Sequence, residues 1–247
     1  MLEAFAWGAI SASSLLIGAW LALRFTIHQR ALGLVMAFAS GVLFSAVAYE
    51  LVLTAVEVYD PLGSALGLFA GALTFFAGDL YIERMGGGGR MSSRGSEVRS
   101  TVAVRSAALP IVLGTILDGV PESAVLGLTL LQGGAGITML MAVFMSNLPE
   151  AMAATTGLRK DGWTQQRIFQ LWSGVFVVSA VAAALGYGLF SSAGETLVAF
   201  VLAFAAGAIL TMLADSMVPE AYKEGGLAVG LMTTLGFALA FAIHSLE

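Results

Sequence analysis

The stretch ETLVAFVLAFAAGAILTMLADSM, residues 195–217, carries no charge between Glu195 and Asp215. A helix that crosses a hydrocarbon layer needs about 20 mostly apolar residues, and this stretch supplies them. The surrounding chain has the same character. Of its 247 residues 58% are hydrophobic and only 11% charged, with a mean hydropathy of +0.91. A soluble domain carries roughly a quarter charged residues. So few polar side chains cannot cover a water-facing surface, and the composition is that of an integral membrane protein in contact with a lipid bilayer.

Seven further apolar runs follow the same pattern, and with the first they predict eight spans: 4–24, 32–56, 62–82, 107–131, 136–158, 168–190, 195–217 and 226–244. The runs are continuous and do not alternate, which excludes a transmembrane barrel of ten-residue strands. The predicted fold is therefore an all-α polytopic membrane protein with a single transmembrane domain over residues 1–247. The opening MLEAFAWGAISASS has Glu3 and no basic residue ahead of its apolar stretch, so it is expected to be a spanning helix and not a cleaved signal. The one long connection, ERMGGGGRMSSRGSEVRSTVAVRS at 83–106, has the Gly, Ser and Arg content of a flexible solvated loop. With no cysteine in the chain, disulfides, thiolate metal sites and thiol catalysis are excluded.

The bases set an expected orientation. Arg24, Arg30, Arg84, Arg90, Arg94, Arg99, Arg105, Arg159, Lys160, Arg167 and Lys223 all fall in or beside the connections after spans 1, 3, 5 and 7. The opposite side holds Glu3, Glu57, Asp60, Glu195 and Glu247 and no base. The positive-inside rule then puts both termini outside and the 83–106 loop in the cytoplasm. A compact chain of this kind suits a prokaryotic inner membrane.

Against that background three carboxylates stand out. LDGVPES (117–123) and SNLPEAM (146–152) each place a glutamate directly after a proline, deep in a span. A charge at the bilayer centre costs roughly 2.5–3.5 kcal/mol on insertion scales. Asp118 and Glu122, four residues apart, share one face of span 4, and Ser146, Asn147 and Glu150 share a face of span 5. The short link around QGGAG makes spans 4 and 5 an antiparallel hairpin. By the helical rise Asp118 lies about 13–18 Å from the inner end of span 4, and Glu150 about 20 Å from the outer end of span 5. The two groups are thus expected to converge near the midplane. With no Lys or Arg at that depth, the acids must be protonated or must hold a cation. Pro121 and Pro149 remove a helical N–H each and release the carbonyls of Leu117 and Met145, which suggests unwound helix lining a polar cavity.

Other polar residues are more ambiguous. Asp79, Asp215 and Glu220, with Glu83 beyond, lie toward the cytoplasmic ends of spans 3 and 7 and form either a cation exit path or ordinary solvated helix ends. Glu50 is either a snorkelling acid or an entrance ligand, and His28 and His244 are expected at the interfaces. Gly41, Gly67 and Gly71 permit close helix contact.

The paired Pro-Glu motifs, their spacing and the topology together resemble the ZIP (Zrt/Irt-like) family of divalent metal transporters. FASGVLFSA (38–46), LWSG (171–174) and FAAGAILTMLADSMVPEAY (204–222) also look like family segments. The resemblance implies eight spans with both termini outside, and metal flux into the cytoplasm. It implies a site bridged by Glu122 and Glu150 and completed by Asp118, Ser146 and Asn147. The chain departs from the family pattern in four places, one of them the 83–106 loop, which lacks the family's usual histidines. Asp118 stands where the family usually has histidine, Gly119 where it has asparagine, and the acid common early in span 6 is replaced at Val177 or a neighbour. What carries over is one oxygen-rich site for a single ion, with zinc as substrate and iron, manganese or cadmium beside it. Two other functions are compatible with the residues: a proton-coupled carrier of a small solute, and a membrane protein that binds metal without moving it. No organic cofactor, enzymatic activity or nucleic-acid partner is expected, since no buried histidine, cysteine or Ser-Lys pair supplies a nucleophile and base. A homodimer is compatible with the sequence.

Overall fold

The computed structural model describes residues 1–58, 60–82, 84, 108–132 and 136–246. The loop expected at 83–106 lies, apart from Arg84, outside the described residues. Among those residues every regular element is helical and no strand occurs. In chain order the helices are α1 (Leu2–Arg24), α2 (Gln29–Val58), α3 (Pro61–Ile82), α4 (Ala108–Thr129), α5 (Ile137–Lys160), α6 (Gln165–Phe190), α7 (Glu195–Met212) and α8 (Val229–His244). Helix α2 passes through a π-helical segment at Val47–Leu53. A second π segment, Leu213–Met217, carries α7 into a polar helical extension, Val218–Gly225.

Among the described residues, six helical runs are long and apolar enough to cross a membrane: α1, α2, α3, α5, α6 and the 50-residue run Glu195–His244. That last run would extend about 75 Å if straight, against a hydrocarbon core of about 30 Å. It folds back instead. Gly226 takes φ 67°, ψ −148°, a conformation only glycine adopts easily, and the chain reverses there. Gly225 comes to lie beside Gly33 at the start of α2, while α8 runs alongside α2 in the same direction, Gly41 meeting Thr233 and Gly236 meeting Phe38.

Packing between helices rests on reciprocal small-residue contacts. Gly41 and Gly236 join α2 to α8, Gly71 and Gly207 join α3 to α7, and Gly127 and Gly186 join α4 to α6. In each pair the glycine of one helix faces a backbone carbonyl of the other: Thr233 and Phe38, Phe204 and Leu68, Ala183 and Ala124. Such approaches bring backbones within reach of Cα–H···O contacts and replace the hydrophobic drive that is absent in lipid. Gly67 also faces α7, at Ala203 and Phe200. Helix α1 lies along α5, Gly18 against the Leu148 carbonyl, and at their common end Arg159 donates to the carbonyls of Ala22 (2.9 Å) and Leu23 (3.3 Å). Those are terminal carbonyls of α1 with no N–H donor inside their own helix, so the guanidinium caps them.

Large apolar side chains cover the outside of the bundle. Leu62, Leu66, Phe69, Leu73 and Phe76 form one exposed stripe on α3, and Leu231, Leu235 and Leu239 another on α8. A water-soluble surface does not carry apolar area on this scale, and the arrangement suits lipid contact.

Because a Cβ at position 207 would collide with the Leu68 carbonyl, Gly207→Val is expected to part α3 from α7. Overpacking typically costs 1–3 kcal/mol, and here rigid backbone, not a side chain, must give. Thermal unfolding of detergent-solubilised protein should show the loss, whereas the same change at Gly174, which has open space beside it, should be tolerated.

Candidate functional site

Helix α4 presents two different faces. Leu117, Val120, Pro121, Ala124 and Leu128 line an apolar cavity of about 260 Å³ bounded by α3, α6 and α7. Asp118 and Glu122 occupy the neighbouring face, where both are buried, Glu122 with 0% of its surface exposed. Across from them α5 buries Ser146, Asn147 and, at 9% exposure, Glu150. The link between the helices is direct: Ser146 Oγ donates to Glu122 Oε2 at 3.3 Å. The same hydroxyl lies 3.1 Å from the Val143 carbonyl, and having one proton it can serve only one acceptor at a time.

This arrangement leaves acceptors unfilled. Among the described residues, Glu122 Oε1 and Asn147 Oδ1 are buried without a hydrogen-bond partner, and so is Ser123 Oγ next to Glu122. Between Arg105 and Arg159 the chain contains no Lys, Arg or His, so neither α4 nor the membrane-deep part of α5 brings a positive side chain of its own. Burying polar atoms without partners is expensive, and a cluster of acceptors in that condition is a place where a cation or proton donor has most to gain.

The expected residues are gathered only in part. Glu122 and Ser146 are in contact, and Asp118, Asn147 and Glu150 lie within a helical turn of one or the other. Among the described residues, however, no group of three or more His, Asp and Glu side chains is assembled closely enough to hold a metal ion. Asp79, Asp215 and Glu220 are not gathered into such a group either. Asp79 and Glu220 are half-buried on different helices, and Asp215 is exposed within the second π segment.

The prolines behave differently from the sequence expectation. Both α4 and α5 remain helical through Pro121 and Pro149. One missing ladder bond per helix does not unwind a segment held on both sides by packed neighbours. The helical irregularity falls at the π segments of α2 and α7, neither of which contains a proline.

Two features escaped the sequence. Val177 is 54% exposed and points away from the bundle, so it does not occupy the place of a lost acid. The polar residue that α6 turns toward α4 is Ser179, buried and facing Gly119, whose missing side chain leaves room beside Asp118. The second feature lies far along the chain from the site. Glu50 and His244 meet at 2.9 Å, Oε1 to Nδ1, with the Tyr49 ring stacked on the imidazole at 5.5 Å. His28, by contrast, is exposed at the start of α2.

Compared with known proteins, the chain matches no family model, and no curated protein matches it.

Proposed function

We propose that the protein is a divalent metal transporter of the ZIP type, moving zinc, and with it iron, manganese or cadmium, into the cytoplasm through the α4–α5 interface. The observation that carries this reading is the buried Glu122–Ser146 contact, flanked by the unfilled acceptors Glu122 Oε1 and Asn147 Oδ1. An arriving ion would be held by Glu122 and Glu150, with Asp118, Ser146 Oγ and Asn147 Oδ1 as further oxygen donors. Because no three of the acids are gathered among the described residues, an arriving ion would draw the remaining donors in. Such a site suits transport better than storage, since a donor set assembled only around the ion releases it when the helices part.

The cavity behind α4 bears on the alternative carrier function. Its lining is apolar apart from Thr74, so it offers a polar organic solute nothing to bind. In the proposed topology the helices make eight spans in a prokaryotic inner membrane, both termini outside. Since the native chain lacks cysteine, single probes report directly on this orientation. Ser93→Cys is expected to be shielded from an impermeant thiol reagent outside intact cells, and Ser192→Cys, exposed between α6 and α7, to be labelled. The reverse pattern would invert the orientation and with it the direction of flux.

The transport proposal is tested by divalent-ion flux into proteoliposomes. Saturable zinc uptake that disappears in Glu122→Gln supports it, and uptake unaffected by that change rejects the site.

A further inference from the structure

The C-terminal part of α2 is wound as a π-helix over Val47–Leu53, with Glu50 at its centre. In an α-helix neighbouring side chains diverge by about 100°, so Tyr49 and Glu50 would not both face one partner. The wider π turn narrows that angle, and here both reach His244 of α8. Tyr49 stacks on the imidazole with the planes 27° apart, and Glu50 Oε1 meets Nδ1 at 2.9 Å. Tyr49 also touches Phe241 and Phe237, so the ring that orients the imidazole is itself held. π segments recur at functional sites because the irregular winding is tolerated where it aims a side chain.

Holding α2 to α8 does not explain the pair. Those helices already meet through close backbone approaches at Gly41 and Gly236. A further contact at the end of a rigid pair adds little to cohesion. What Glu50 and His244 do share is donor chemistry. As it stands the contact is a hydrogen bond in which Nδ1–H donates to the carboxylate. With that proton moved to Nε2, Nδ1 and the carboxylate both present lone pairs to the space between them, an arrangement that a cation would stabilise. Zinc bound tetrahedrally by nitrogen and oxygen at about 2.0–2.2 Å holds its donors about 3.3 Å apart. The observed 2.9 Å needs only a few tenths of an ångström of widening. The side chains are 14% and 29% exposed, so water can fill the remaining positions and an ion can reach them.

We propose that Glu50 and His244 form a second, shallow binding site for a zinc-like divalent cation, separate from the α4–α5 site. It differs in donor type, because imidazole favours zinc, copper and nickel where an all-oxygen site does not. In the proposed orientation this end of the bundle faces outward, and the pair captures the ion before it passes inward. Only that role rests on the transport reading; the site itself does not.

The experiment is zinc titration by calorimetry of the purified full-length protein in detergent. The variants are Glu122→Ala/Glu150→Ala, and the same double variant carrying His244→Ala or Glu50→Gln. The expected result is that the double variant keeps a weaker class of zinc binding, which either added substitution removes. His244→Gln, nearer in size, should act like His244→Ala if the lost imidazole is the cause. No residual zinc in the double variant, or residual zinc that survives both added substitutions, would overturn the second site. If instead the double variant binds as wild type while His244→Ala still removes one equivalent, the second site stands and the α4–α5 site falls.

Discussion

Glu122→Ala and Glu150→Ala are each expected to abolish metal flux while leaving folded protein in the membrane. Glu122 is fully buried, one of its oxygens accepts from the Ser146 hydroxyl, and among the described residues the other has no hydrogen-bond partner. Removing one outer-shell partner of a bound metal typically costs about 10–100-fold, so losing a direct carboxylate ligand should cost more than that range. Stability should not fall with activity. Replacing a buried carboxyl group by a small apolar residue removes a group that is costly to desolvate, which offsets the packing lost with its side chain. Glu122→Gln sharpens the test, because the amide oxygen still accepts from Ser146 and preserves shape while the charge is lost. Flux near the wild-type level in Glu122→Gln would mean that the carboxylate is not a ligand. Unfolding at lower temperature in all three variants would mean that the acids hold the bundle together instead of an ion.

Asp118→His is expected to shift metal preference, with the ratio of zinc to manganese affinity rising about tenfold, equivalent to about 1.4 kcal/mol. Every proposed side-chain donor in the native site is oxygen, which suits manganese and magnesium, whereas imidazole suits zinc. The side chain has room to change, since Gly119 keeps α4 from crowding Ser179. A histidine ligand must be neutral to bind, so zinc affinity in the variant should also fall as pH drops through about 6.5, where free imidazole protonates. Competition between zinc and manganese, by flux and by equilibrium binding, measures both effects. An unchanged ratio would place Asp118 outside the ligand set and leave it a role in proton coupling or gating.

Much of the helical layout was legible in the sequence because hydropathy follows the length of a membrane-deep helix closely. Helix starts and ends lie within a few residues of the apolar runs at α1, α3, α5 and α6. At α7 the match ends early. Hydropathy stops the run at 217, yet helix continues to Gly225 because VPEAYKEG is a good amphipathic turn that merely lacks apolar length. The π segments were not legible, since one extra residue in a turn leaves composition and periodicity nearly unchanged. Neither was the Glu50–His244 contact, which joins residues 194 apart in the chain through a helix pairing no local pattern encodes.

Within the candidate site, Asp118 and Glu122 were readable as one helix face from their spacing alone. That Ser146 would be the residue to touch Glu122 depended on the angle and axial offset between α4 and α5, which spacing does not give. The prolines misled for a related reason. Sequence shows the missing N–H, but not the packing of α4 against α6 at Gly127 and Gly186 beside the segment that stays helical through Pro121.

The most direct test of metal transport is zinc uptake into liposomes containing the purified protein and an internal zinc indicator, with and without an imposed pH gradient. The expected result is saturable uptake by wild type and none by Glu122→Gln of equal thermal stability. Zinc, manganese, iron and cadmium all failing to cross with correctly folded wild-type protein would contradict it.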